Sequence, residues 1–230
     1  EMEKLGFILC DTQVYFKHNL INIPEINKVE VMIRPYNIND IKYIKNIALI
    51  SFKNYYGHYH SDNRFNFKDI EEGYSDWAYN LCNMPKGINE IFVAQDNHKI
   101  VGFIAYRLNN ETEGEVVCGA ILPEYQKRGI YKNIFITGLN WHKQKECKYQ
   151  LTSTQNLNIA VQKVWCRLGY EPYLEKAYYT LHKWFIEEKI NSYYSPEKFE
   201  TKEDKERLER LRKEGHYFFD VTCEKMRNNL

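Results

Sequence analysis

No apolar run in this 230-residue chain approaches the roughly 20 residues that a membrane-spanning helix needs, and no secretory leader pattern is visible. An excess of either charge is missing too. Lys and Arg number 32 against 31 Asp and Glu, which argues against nucleic acid as the main partner. The six cysteines, Cys10, Cys82, Cys118, Cys147, Cys166 and Cys223, contain no CxxC pair. Neither a zinc site nor a disulfide framework is therefore expected, and no metal is assigned. Cys118 and Cys166 have apolar neighbours in sequence and read as reduced core residues, as suits a cytoplasmic chain. A Walker A loop is absent, and so is the GxGxxG dinucleotide fingerprint.

What is present is the run Leu122-Pro-Glu-Tyr-Gln-Lys-Arg-Gly-Ile-Tyr131. It follows an apolar stretch, Val116 to Leu122, that reads as a strand. It precedes a helical pattern carrying Ile134, Phe135 and Leu139 on one side. The first backbone N–H groups of a helix have no internal partners, and the helix dipole adds positive potential there. Lys127, Arg128 and Lys132 add full charges, and Gly129 permits close approach of backbone to a phosphate. Alone, the run reads equally well as a cradle for a pyrophosphate or as an ordinary basic strand-to-helix turn.

The N-terminal residues Glu3 to Phe7 look like a helix end turning at Gly6 into a strand from Ile8 to Phe16. A helix end so near the first residue, Glu1, leads us to expect further sequence upstream. Val31 to Arg34 reads as a strand, and Ile41 to Lys53 as a helix capped by Asn39-Asp40. A polar-aromatic segment, Tyr55 to Phe65, leads into a helix from Phe67 to Leu81 carrying Trp77. Ile91–Gln95 and Ile100–Leu108 form a hairpin around Asp96-Asn-His-Lys99. After the cradle come a helix to about Lys145, a strand from Gln150 to Ser153, a helix from Asn158 to Leu168, and a last strand from Tyr178 to Trp184. Glu187 to Glu214 is highly charged and reads as a solvated helix starting at Ser195-Pro196, with His216 to Phe219 as a docking patch.

This order resembles the GCN5-related N-acetyltransferases. Three motifs carry the resemblance: the hairpin Val93 to Ile104, the run Gln126-Lys-Arg-Gly-Ile-Tyr131, and the spacing of Asn158, Val161, Val164, Trp165 and Gly169-Tyr170. A narrower likeness is to sugar N-acetyltransferases of the dTDP-fucosamine acetyltransferase type. It rests on the Gly-Ile-Tyr ending of the cradle, the loop Gly57-His-Tyr-His-Ser-Asp-Asn-Arg-Phe65 before the Trp77 helix, and the N-terminal strand. Leu5-Gly-Phe7 with Val14-Tyr-Phe16 echoes Leu168-Gly-Tyr170 with Ala177-Tyr-Tyr179, as a partial second lobe would.

The resemblance implies an α/β (α+β) fold with a mixed, mostly antiparallel central sheet, splayed strands and flanking helices. Residues 1–28 would be the partial lobe, 29–186 the acyltransferase domain and 187–230 a helical extension. Acetyl-CoA would be the acyl donor and a small-molecule amine the acceptor, a nucleotide-linked amino sugar first, with a peptide or another small amine as alternatives; a homodimer stays open. The pantetheine arm would lie along Gly119, Ala120, Ile121 and Leu122. The pyrophosphate would sit on Gln126, Lys127, Arg128, Gly129, Ile130 and Tyr131. Asn158, Val161, Val164 and Trp165 would line the arm. Trp165 fills the position where the family carries an acidic tyrosine, which points either to Tyr170, Tyr178 or Tyr179 as acid, to unassisted thiolate departure, or to a silent acyl-CoA-binding module. Glu113, Glu115, His58 and His60 are base candidates, and Tyr59, Arg64 and Trp77 acceptor-binding candidates.

Overall fold

The computed structural model describes residues 4, 6–53, 55–63, 65–85, 87–182 and 220–221, and their side chains except those of 175–178 and 220–221. The elements are β1 (Ile8–His18), β2 (Met32–Pro35), α1 (Ile41–Phe52), α2 (Phe67–Cys82), β3 (Asn89–Asp96), β4 (Lys99–Leu108), β5 (Glu113–Ile121), α3 (Ile130–Gln144), β6 (Tyr149–Gln155), α4 (Ile159–Arg167), β7 (Glu171–His182) and β8 (Asp220–Val221). They build a mixed α/β fold with one open, mostly antiparallel sheet in the order β2-β3-β4-β5-β6-β1-β7-β8, flanked by helices.

Local chemistry sets the entries to the helices. Asn37 accepts from Asn39 N, and Asp40 accepts in return from Asn37 N, a capping box at the turn that leads into α1. Asp40 is buried, and Arg34 grips both its oxygens at 2.6 and 3.0 Å. Burial pushes its carboxyl up, but the guanidinium and the Asn37 N–H outweigh it and hold the group below the usual range. Asn66 caps α2 by accepting from Asp69 N at 2.8 Å. In the β3–β4 hairpin, Asn97 takes the left-handed conformation (φ 51°), which its side chain tolerates better than most.

Strand β4 is the spine of the core. Every residue from Ile100 to Tyr106 is buried, so both faces of its pleat are covered; α1 and α3 pack against it. Phe103, Ile104, Ile134, Phe135 and Leu139 are fully enclosed there.

The feature that positions the site is a fork. Strands β5 and β6 pair in parallel only from Glu113↔Tyr149 to Val116↔Thr152. Beyond that point β5 follows β4, with Ile104↔Gly119 and Gly102↔Ile121, while β6 follows β1, with Val14↔Thr154 and Gln13↔Gln155. Each strand is held by its outer neighbour, so the inner edges part without unravelling.

Three expectations change. The N-terminal segment set apart as 1–28 contributes β1 to the middle of this sheet, hydrogen-bonded to both β6 and β7, so the boundary at 28/29 cuts through one sheet. Strand β7 begins at Glu171, well before Tyr178, because β1 offers it a long partner. Pro172 is accommodated beside a register shift in that pairing. Cys118 is buried as expected, but Cys166 is exposed on α4. The tail from Glu187 lies outside the described residues apart from Asp220 and Val221, and so does Cys223. No described helix is long and apolar enough to cross a membrane.

Candidate active site

The fork opens into a cavity of about 650 Å³. Val116 to Gly119 of β5 form one wall and Thr152 to Gln155 of β6 the other. Tyr131 from the first turn of α3 and Asn158, Val161 and Trp165 from around α4 also line it. Much of the remaining lining is aromatic, with Phe52, Tyr55, His58, Tyr59, Phe65, Tyr74 and Trp77 from α1, α2 and the segment between them.

The cradle has the backbone shape of an anion nest. Lys127 (φ 61°) and Gly129 (φ 78°) both adopt left-handed conformations around Arg128, and α3 starts at Ile130. For Gly129 this conformation, rather than crowding, is the constraint, since an added Cβ would come no nearer than 3.6 Å to Val29. Two side chains of the run face inward to structure. Gln126 donates to the Ile121 carbonyl at 3.1 Å, and Arg128 donates to the Glu124 carbonyl at 2.7 Å while lying over the Tyr125 ring. Lys127 and Gly129 remain exposed.

Several residues assigned from the sequence meet at the cavity: Gly119, Tyr131, Asn158, Val161, Trp165, His58, Tyr59 and Trp77. Others do not. Ala120, Ile121 and Leu122 are buried beyond its wall, and the Ile121 carbonyl already accepts from Ser51 and Gln126. Val164 packs on the core. Glu115 is paired with Arg107, in the closed half of the β5–β6 ladder and off the cavity wall. Glu113 there accepts from the Tyr149 hydroxyl at 2.9 Å. The Nδ1 of His60 accepts from Gly57 N, and its ring stacks on Tyr56, outside the cavity. Tyr179 is half exposed on β7, opposite Thr12. Tyr170 is fully enclosed, its hydroxyl donating to Gln150. Arg64 and the side chain of Tyr178 lie outside the described residues.

The tyrosines that do line the cavity are Tyr55, Tyr59, Tyr74 and Tyr131. Burial pushes the Tyr55 hydroxyl up to about 12, against the opposing effect of Thr154. Burial raises Tyr74 and Tyr131 further, so all three stay protonated donors. Gly57 lets its loop approach Tyr74 closely, since a Cβ there would lie 2.1 Å from the hydroxyl oxygen. The Tyr74 hydroxyl and the Trp165 indole N–H are buried without a hydrogen-bond partner. The indole N–H is still near enough to Tyr131 to favour its ionised form slightly, against the larger effect of burial. Buried polar groups rarely stay unpaired, so these two mark places where a bound molecule would present polar atoms.

His58 is the cavity-wall histidine. Its Nδ1 lies 3.1 Å from His182 Nε2, and His182 Nδ1 lies 3.1 Å from Asp62 Oδ2. His182 and Asp62 are buried. Burial, reinforced by His182 and His60, pulls His58 down to about 3, which keeps it neutral. Cys10 brings a thiol within 4.8 Å of Asp62 and His182, a set that could hold a metal ion. Its thiol, however, donates to the Ile8 carbonyl, and the carboxylate and imidazole already engage each other, so we read the group as hydrogen-bonded. Reading the sequence missed Tyr55, Tyr74, Asp62 and His182. Asp62 stands two residues after His60 in the same unusual loop, which was the available signal.

The family model for the GNAT acetyltransferases matches residues 50–170, more than half of the chain. Among solved structures, a functionally unknown conserved protein from Staphylococcus epidermidis is 16% identical, with a TM-score of 0.52 over 75% of this chain and 61% of its own. A putative GNAT acetyltransferase from Novosphingobium aromaticivorans is 10% identical, with a TM-score of 0.51 over 75% and 64%. A GCN5-related N-acetyltransferase from Sphaerobacter thermophilus is 13% identical, with a TM-score of 0.52 over 77% and 53%. The chain thus spans between half and two thirds of the length of these proteins, and the likeness is one of fold. No curated protein matches it. On the family match, the motifs and the forked sheet together, the chain belongs to the GNAT acetyltransferase family.

Proposed function

We propose that the chain is an acyl-CoA-dependent N-acyltransferase that moves an acetyl group from acetyl-CoA to an amine by direct attack on the thioester. The observation that carries this reading is the cavity in the β5–β6 fork, continuous with the first turn of a helix whose N-terminus is a left-handed, basic nest. Residues present fit the donor: unpaired inner edges of β5 and β6 suit a pantetheine amide arm, and the unpaired Trp165 N–H suits a polar atom along it. Lys127 and the first N–H groups of α3 would hold the pyrophosphate. Asn158 is fixed by donating to the Thr154 hydroxyl at 3.0 Å, which leaves its carbonyl oxygen for the arm.

Acetyl-CoA supplies the activated carbonyl; the chain supplies placement and proton handling. A backbone N–H on the open edge of β5 would stabilise the tetrahedral oxyanion. Tyr131, protonated and beside Trp165, would donate a hydrogen bond to the departing thiolate rather than a full proton, because burial raises its pKa. The aromatic lining offers flat faces for a ring-bearing acceptor, and Asp69, whose carboxylate also accepts from Asn66, lies on the wall. We therefore favour the amine of a nucleotide-linked amino sugar as acceptor. The test is thiol release from acetyl-CoA across amino-sugar nucleotides, free amino sugars, peptides and small polyamines. Turnover with the amino-sugar nucleotides is expected. Turnover with peptides only would refute that acceptor class. No turnover with any amine, despite CoA binding, would favour a silent acyl-CoA-binding module.

A further inference from the structure

We propose that Asp62 and His182 are positioning residues that hold His58 with its Nδ1 protonated and its Nε2 bare, so that Nε2 takes the proton from the attacking amine.

The inference rests on the acetyl-transfer reading, but its geometry is independent of any acceptor. An ionised carboxylate can only accept, so Asp62 takes the Nδ1 proton of His182. A neutral His182 then has a bare Nε2, which can only accept, so His58 donates its Nδ1–H across 3.1 Å. His58 Nε2 is left as the proton acceptor of a ring that lines the cavity. Both partners are enclosed: His182 is 0% and Asp62 2% exposed. Among the described residues, Cys10 from β1, Tyr59 and His60 from the same loop, and the Phe65 ring lie around the chain. None of these four is a carboxylate, so Asp62 supplies the negative charge that a proton entering through His58 would meet.

A buried histidine with no such chain would be a poor base, because its cation would be stranded. Here the chain moves the charge. As the amine nitrogen bonds to the thioester carbon, the carbonyl electron pair shifts to oxygen and an N–H proton passes to His58 Nε2. His58 hands its Nδ1 proton to His182 Nε2, and the cation comes to rest against Asp62. Collapse of the oxyanion re-forms the carbonyl and breaks the C–S bond. The thiolate leaves, the stored proton returns through His58 to solvent, and the sum is amine plus acetyl-CoA giving amide plus CoA thiolate and one proton.

The experiment pairs long-range proton–nitrogen correlation of the imidazole rings with steady-state acetyl transfer, for wild type, His58→Gln, His182→Gln and Asp62→Asn. The wild type should show His58 as the Nδ1–H form near neutral pH, and Asp62→Asn should mix the two forms. His58→Gln should lower kcat by roughly 100-fold with KM for acetyl-CoA unchanged within about twofold. Asp62→Asn should shift the acid limb of the kcat profile to lower pH, because the protonated chain has lost its carboxylate. An Nε2–H form in the wild type would overturn the proposal, and that reading needs no variant to fold. So would an Asp62→Asn protein with unchanged ring signals and pH profile, or stoichiometric zinc in the purified wild type that Cys10→Ser releases. A wild type with the predicted ring form that acetylates no amine would sink the acetyl-transfer reading and the base role with it, leaving the hydrogen-bond chain established.

Discussion

Two histidines in this fold, His142 fully buried and His58 partly so, use their ring nitrogens differently. His142 on α3 uses both ring nitrogens inside the protein: Nε2 lies 3.1 Å from the Arg107 carbonyl, and Nδ1 meets the Gln150 side chain, which in turn accepts from Tyr170. His58 has one nitrogen committed, to His182, and its ring reaches a cavity. Burial pulls both down, His142 to about 4 and His58 to about 3. The difference is therefore connectivity rather than acidity. A closed chain ending on backbone fastens α3 to β4 and β6; an open chain ending on a cavity wall can move a proton.

The comparison breaks most visibly in paired variants. His58→Gln should cost about 100-fold in kcat while leaving the melting temperature nearly unchanged. His142→Leu should do the reverse. It leaves the Gln150 side-chain nitrogen and the Arg107 carbonyl without their partner and should destabilise the fold by about 1–3 kcal/mol, measured by denaturant titration, with kcat of the folded fraction within about twofold of wild type. Equal effects of the two on either quantity would erase the distinction. In the cradle, Lys127→Glu should weaken acetyl-CoA binding by roughly tenfold in calorimetric titration, more than Arg128→Ala, because Arg128 is spent on the Glu124 carbonyl and the Tyr125 ring. Trp165→Phe keeps an aromatic ring and removes the unpaired N–H; it should weaken CoA binding by about three- to tenfold in the same titration.

Acid should act on both histidines through stability. Their folded pKa values lie below the ordinary 6.5, so the unfolded chain takes the proton first. The stability they confer is complete above about pH 6.5 and falls as pH is lowered toward 4. Thermal melts between pH 7.5 and 5 should show this slope, and His142→Leu should flatten it.

Much of the fold was readable because it is local. The hairpin turn at Asn97 and the cradle around Gly129 are each written within a few residues, whereas the cap read at Asn39-Asp40 is formed by Asn37, with Asp40 making no side-chain cap to α1. What was not readable depends on partners far away in sequence. Nothing local says that β1 lies between β6 and β7, or that Pro172 can sit inside a strand beside a register shift. Glu115 read as a base near the acceptor, but its cross-strand neighbour Arg107 holds it in the closed half of the ladder. Tyr131 read as part of the pyrophosphate run; it also lines the cavity in the fork. His182 meets Asp62 across 120 residues, a pairing no spacing rule exposes.

The fork between β5 and β6 is the decisive feature, and a crystal structure with CoA bound tests its role most directly. The pantetheine arm should run between Val117–Gly119 and Ser153–Gln155, with the pyrophosphate on the N–H groups after Gly129 and the thiol end within reach of Tyr131 and Trp165. CoA bound away from the fork, or a fork that closes by extending the β5–β6 ladder past Val116, would contradict it.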